Sequence, residues 1–148
     1  MSTTETPPFE GFPPEALDFY EALEADNTKV FWTENKHVYD EAVKQPLLRL
    51  CDRLAAEFGA AKVFRPYRDV RFSKDKTPYK TAQGAVLGMG EGAGAQYVQI
   101  SAAGLLVAAG FHEMASDQVQ RYRESVDDET LGTHLAAVLD AIRDAGHT

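Results

Sequence analysis

Between Lys62 and Thr81 the chain places seven cations, Lys62, Arg65, Arg68, Arg71, Lys74, Lys76 and Lys80, against two carboxylates, Asp69 and Asp75. Arginine presents a planar fork of donors that matches the oxygens of a carboxylate or phosphate, and lysine adds a mobile point charge. Tyr67 and Tyr79, interleaved with these cations, can stack on a flat ring or donate a hydrogen bond. The chemistry implied is recognition of an anion.

The step Arg65-Pro66 biases the backbone toward extended geometry, so Val63 to Ser73 is predicted to be extended. Alternation would then put Arg65, Tyr67, Asp69 and Arg71 on one face and Arg68, Val70 and Phe72 on the other. Ser73-Lys74-Asp75-Lys76-Thr77-Pro78 has the composition of a turn. The expectation is a site in which Arg65, Arg68, Arg71, Lys76 and Lys80 bind a phosphorylated or carboxylated small ligand. Asp69 would position the arginines, and Tyr79 would contact the ligand body.

Three other readings compete. The segment is also what a charged edge strand protected against aggregation looks like. An enzyme could use the same cations to stabilise developing negative charge, with Asp69, Asp75 or His112 as acid or base. A protein-interaction module could dock an acidic partner on this face.

The overall formal charge is −8, so the local balance of +5 leaves −13 on the rest of the chain. That excess opposes coating of nucleic acid through bulk electrostatics. No apolar run is long enough to span a bilayer, and Met1 to Pro8, with Glu5 and two prolines, does not read as an export signal. Cys51 is the single cysteine. It lies on an apolar helical stripe and reads as a small core residue, which excludes an internal disulfide. These features point to a cytoplasmic protein with no membrane partner.

Other motifs are weak. The glycine cluster from Gly88 to Gly94 is followed by no Gly-Lys-Ser/Thr and misses Gly-x-Gly-x-x-Gly, so it reads as a strand connection. His37, His112, His134 and His147 show no metal-ligand spacing, and neither a metal nor another cofactor is expected. His112-Glu113 falls at a predicted strand end. Phe31, Trp32 and Tyr39 recur at helical spacing and read as core, with a minority reading in which Asn27, Trp32 and Asn35 border the basic pocket. Arg121 and Arg123 could extend the cation cluster or pair locally with Glu124 and Asp127.

The elements that must position these residues follow from periodicity. Residues 1 to 12 read as a partly ordered tail that docks through Phe9 and Phe12. Pro13 and Pro14 suit the first turn of a helix carrying Ala16, Leu17, Tyr20 and Leu23. Asn27 or Thr28 caps the next helix. A stripe of Tyr39, Val43, Leu47, Leu50, Cys51, Leu54 and Phe58 crosses Pro46, predicting two helices or one kinked helix with a shared buried face, stopped by Gly59. Tyr79 to Met89, Gln96 to Ala102 and Leu105 to Met114 read as strands of a meander. Ser116 can cap a helix to about Val126. A last helix from about Asp128 has Leu131, Leu135, Val138, Leu139 and Ile142 as its expected buried stripe. The order is helices, a central antiparallel sheet of about four strands, then helices: one α+β domain over residues 1–148.

The run Arg68-Asp69-Val70-Arg71-Phe72-Ser73-Lys74-Asp75-Lys76-Thr77-Pro78-Tyr79-Lys80-Thr81 resembles the signature of domain of unknown function family 2461. Phe9-x-Gly11-Phe12-Pro13, the series Asn27, Trp32, Asn35 and Tyr39, Tyr97-Val98-Gln99-Ile100 with Gly104 and Gly110-Phe111, and Arg121-Tyr122-Arg123 extend the resemblance over nearly the whole chain. The resemblance implies an α+β fold and carries no reaction with it. It also implies a further basic segment with Pro-x-Gly-Tyr and Asp-His-Pro elements, which this chain does not contain. The expectation is therefore either a fragment or an incomplete site.

Overall fold

The computed structural model describes residues 7–88, 94–111 and 113–147. Helix α1, Pro14–Ala25, begins as its two prolines require, with Pro13 as an extended N-cap and Pro14 in the first turn. Helix α2, Lys29–Val38, is capped by Thr28, whose hydroxyl accepts from the Phe31 N–H at 3.2 Å. That choice of cap leaves Asn27 free for a longer-range task.

The stripe across Pro46 is one helical path with a local defect. A π-helical turn, Tyr39–Lys44, joins α2 to helix α3, Gln45–Phe58, and the Gln45 N–H reaches back five residues to the Asp40 carbonyl. Proline has no N–H to give and its ring crowds the carbonyl four residues back, so a widened turn just before Pro46 relieves both problems. Tyr39, Val43, Leu47 and Cys51 remain on the buried side throughout. Burial pushes the Cys51 thiol pKa up, with Asp52 adding to it, as befits a core residue rather than a nucleophile. Gly59, at φ 87°, ends α3 in a conformation that side chains disfavour.

Strands β1 (Ala61–Val63), β2 (Ala82–Leu87), β3 (Ala95–Ser101) and β4 (Gly104–Gly110) form an antiparallel meander in the order β1-β2-β3-β4. The register pairs Ala85 with Val98 and Val98 with Val107. Alternation then separates two faces. Gln83, Ala85, Leu87, Val98 and Ile100 are buried. One cluster joins Ile100 to Phe19, Trp32 and Tyr39, and a second joins Ala85, Leu87 and Val98 to Leu47 and Cys51. Phe12 packs against both, and Phe9 meets it edge-on at 5.5 Å, so this end of the tail is docked as expected.

Three expectations need correction. Val63 to Ser73 is not a strand: β1 ends at Val63, and beyond it only Tyr67 makes a bridge, to Tyr79. The last strand stops at Gly110 instead of reaching Met114. Ser116 is the first residue of helix α4, Ser116–Asp127, while Ala115 caps it and donates its N–H to the Gln118 Oε1 at 2.8 Å.

The chain divides into two compact units, one through Gly110 and one from Phe111 onward. In the second, Asp128 caps helix α5, Glu129–Asp144, by accepting from the Thr130 and Leu131 N–H groups. The expected buried stripe of α5 is not buried: Leu131, Val138, Leu139 and Ile142 are exposed. The periodicity marks the face correctly, but α4 and α5 alone enclose too little volume to cover it. No described helix is long and apolar enough to cross a membrane.

Candidate functional site

The face of the sheet opposite the helices holds an open groove of about 620 Å³. Its floor is the outward set of alternating residues, Ala82 and Gly84 from β2 with Tyr97 and Gln99 from β3. Gly84 is needed there because the Tyr97 ring crosses it; a Cβ at that position would lie 2.5 Å from the Tyr97 hydroxyl. That hydroxyl donates to the Gln99 Oε1 at 2.7 Å, and Phe64 packs on Tyr97 with ring centroids 6.3 Å apart.

One wall is the segment after β1, folded into a clamp. The Arg68 N–H donates to the Pro78 carbonyl at 2.9 Å and the Lys80 N–H to the Pro66 carbonyl at 2.8 Å, flanking the Tyr67–Tyr79 bridge. Tyr79 stacks nearly parallel on Trp32, with centroids 4.3 Å apart and planes 8° apart. Asn27 grips the backbone of Tyr79 from the end of α1, its Nδ2 donating to the carbonyl at 3.0 Å and its Oδ1 accepting from the N–H at 3.1 Å. Arg68 and Lys80, one residue beyond each bridge partner, line the groove together with Tyr79, Thr77, Asp75, Asn27 and Glu24.

Electrostatics divide the seven residues expected to form the site. Arg68 lies in the groove, and its Nη1 donates to both Asp75 and the Thr77 hydroxyl. Asp75 in turn accepts from the Thr77 N–H at 2.9 Å, so the turn is rigid where it meets the guanidinium. Two of the five Arg68 donors are used this way, and among the described residues the Nε and Nη2 edge has no hydrogen-bond partner. Lys80 also lies in the groove, its Nζ 5.6 Å from the centre of the Phe64 ring.

Asp69 and Arg71 pair with each other at the surface through a fork at 2.7 and 2.9 Å, outside the groove. Lys76 donates to the Val70 carbonyl at 2.8 Å and closes the turn; Arg65 is exposed and lies outside the groove lining. Asp69 thus holds one arginine, Arg71, through a two-bond fork, and Asp75 holds another, Arg68. The minority reading of the early helices holds for Asn27, which lines the groove, whereas Trp32 backs Tyr79 and Asn35 bonds its own helix at the Phe31 carbonyl. Glu24, Phe64, Tyr97 and Gln99 were outside the expected set. For Tyr97 and Gln99 the signal was available: they are the outward residues of the predicted strand, placed next to a glycine on its neighbour. His112 lies outside the described residues, as does most of the Gly88 to Gly94 cluster.

Hydrogen bonds from Arg68 and then from Thr77 hold the Asp75 carboxyl at about 2, below its ordinary 3.8. Asp69 is lowered as well, by Arg71. A depressed carboxyl contributes order above its unfolded value and loses it as pH falls through the folded one. The Arg68 anchor is therefore expected to be complete above about pH 5 and released near pH 2, as read by the Arg68 Nε–H resonance in an NMR titration. An Asp75→Asn variant should abolish that titration step; its persistence would assign it elsewhere.

Among family models, the one described as "Conserved hypothetical protein (DUF2461)" matches residues 15–145. Comparison with curated proteins and with solved structures gave no match.

Proposed function

The chain belongs to this family, and we propose that it is a cytoplasmic binding module for a phosphorylated or carboxylated small molecule, held in the groove by Arg68 and Lys80. The observation that carries the reading is that a guanidinium with a free edge and an ammonium line one groove, the first held in place by Asp75 and Thr77. A preoriented cation loses little freedom on binding, and the groove's volume of about 620 Å³ is of the size that takes a small ligand. Phe64 and Tyr97 offer the ligand body an aromatic surface. Asp75, its carboxyl pKa held at about 2 by Arg68 and Thr77, is ionised at neutral pH and a weak proton acceptor, so it suits anchoring Arg68 better than acid–base work.

The test is thermal unfolding with pyrophosphate and phosphate monoesters. The wild-type protein should be stabilised by an increment that grows with the logarithm of ligand concentration, about 2.7 kcal/mol at a hundredfold excess over Kd. Arg68→Ala should remove most of that shift, whereas Arg71→Ala, whose partner is Asp69 at the surface, should leave it intact. Equal losses in both variants would place the anion on the outer face of the loop and overturn the groove site.

A second reading rests on Phe72, which is 97% exposed beside Arg71 and Lys74 at the tip of the same loop. An exposed ring among cations suits docking to an acidic protein with an apolar recess. Phe72→Ser should then abolish binding to such a partner while leaving the phosphate-induced shift unchanged.

A further inference from the structure

The groove contains charges of both signs, and they are not all satisfied within it. Arg68 is paired with Asp75. Glu24 and Lys80 line the same groove, and among the described residues neither has an ion-pair partner. Asn27 is engaged with the Tyr79 backbone through both ends of its amide. Glu24 also sits in the last turn of α1, which has no basic residue and is followed by Asp26 at the C-cap. A helix C-terminus carries partial negative charge, so a carboxylate there is unfavourable and a cation is welcome.

We infer that the ligand is zwitterionic, an anionic group bound by Arg68 and Lys80 and a protonated amine bound by Glu24 at the end of α1. This inference rests on the anion-binding reading above and narrows its ligand class from any small phosphate or carboxylate to an amine-bearing one. A purely anionic ligand would satisfy Lys80 and leave Glu24 facing it as a like charge. A ligand that carries an ammonium beside its anion turns that repulsion into an attraction and neutralises the helix end as well.

Phosphoethanolamine and n-propyl phosphate test this, since they differ by an ammonium in place of a methyl. Titration calorimetry on the full chain should find phosphoethanolamine bound about fivefold more tightly, the gain of one partly exposed ion pair. Glu24→Gln should remove the preference, weakening phosphoethanolamine binding and tightening n-propyl phosphate binding as the like charge is lost, and circular dichroism should show the exposed substitution to be folded. Equal binding of the two ligands by the wild-type protein, lost in Arg68→Ala, would overturn the zwitterion and leave the anion site standing. Binding of neither would overturn both. Sedimentation with phosphatidylethanolamine vesicles separates the sources of the headgroup: Glu24-dependent co-sedimentation supports a lipid-borne form, and binding of the soluble compound alone supports a free metabolite.

Discussion

Trp32→Ala is expected to destabilise the unit that ends at Gly110 by about 3–5 kcal/mol, the usual cost of emptying a well-packed aromatic site. Trp32 is 4% exposed and meets Phe19, Tyr39 and Tyr67 as well as Tyr79, so its removal opens a cavity at the junction of α1, α2, the π turn and the clamp. Small domains are stable by only about 5–15 kcal/mol, so this single change consumes a large part of the margin. The consequence for the site is as direct. Tyr79 is held on one side by the Trp32 ring and along its backbone by Asn27, and Lys80 follows it in the chain. Urea unfolding followed by far-ultraviolet circular dichroism measures the loss; the probe must not be fluorescence, since Trp32 is the only tryptophan. A cost below about 1 kcal/mol would mean that the aromatic cluster is not what joins the helices to the clamp. Trp32→Phe, which keeps a ring in the stack, should recover most of the stability.

The same junction explains how much of the molecule could be read from its residues. Helices α1 to α3 were legible because their apolar positions recur at one period and are punctuated by Pro13-Pro14, Thr28 and Gly59. The meander was legible because β3 alternates and a short small-residue turn, Ala102-Ala103 before Gly104, joins it to β4. The clamp was not. Its geometry is fixed by Arg68 and Lys80 bonding across to Pro78 and Pro66, and by Asn27 bonding to Tyr79 fifty-two positions away, and no local propensity encodes such pairings. Composition flagged the stretch that folds into the clamp, but face alternation assigned partners on the premise of a continuous strand. Without that strand, Asp69 turns to its neighbour Arg71, and Asp75 takes Arg68 across the turn. Glu24 was invisible for a related reason: on α1 it is an ordinary surface carboxylate until the fold brings the end of that helix to the clamp. The exposed face of α5 shows the converse case, in which periodicity identified an apolar stripe but carried no information about what encloses it.

Gln83→Leu should cost on the order of 3 kcal/mol, because it strands buried polar groups that each cost about 1–3 kcal/mol when left unpaired. Gln83 is 1% exposed, the buried polar residue on the helix-facing side of β2. Its Oε1 accepts from the Tyr39 hydroxyl at 2.7 Å, and its Nε2 donates to the Phe64 and Gly84 carbonyls. One side chain thus ties the π turn to the point where β1 ends and the clamp begins. Leucine matches the volume and would improve burial, so a stabilised or neutral variant would show that the network does not hold the fold. If the network holds it, the buried Tyr39 hydroxyl and the part-buried Phe64 carbonyl lose partners. Tyr39 is already kept protonated there, burial being the first cause and Asp40 the second, so ionisation offers the stranded hydroxyl no escape. Adding Tyr39→Phe removes one of the stranded groups and should return about 1 kcal/mol, a coupling that a double-mutant cycle measures directly. The effect on the groove should be separable from the effect on stability. Phe64 lines the groove next to Lys80, so loosening its carbonyl should weaken pyrophosphate binding even at temperatures where the variant is fully folded. That residual loss, set against an unchanged affinity in a variant destabilised equally at Leu47, would distinguish a residue that shapes the site from one that only supports the core.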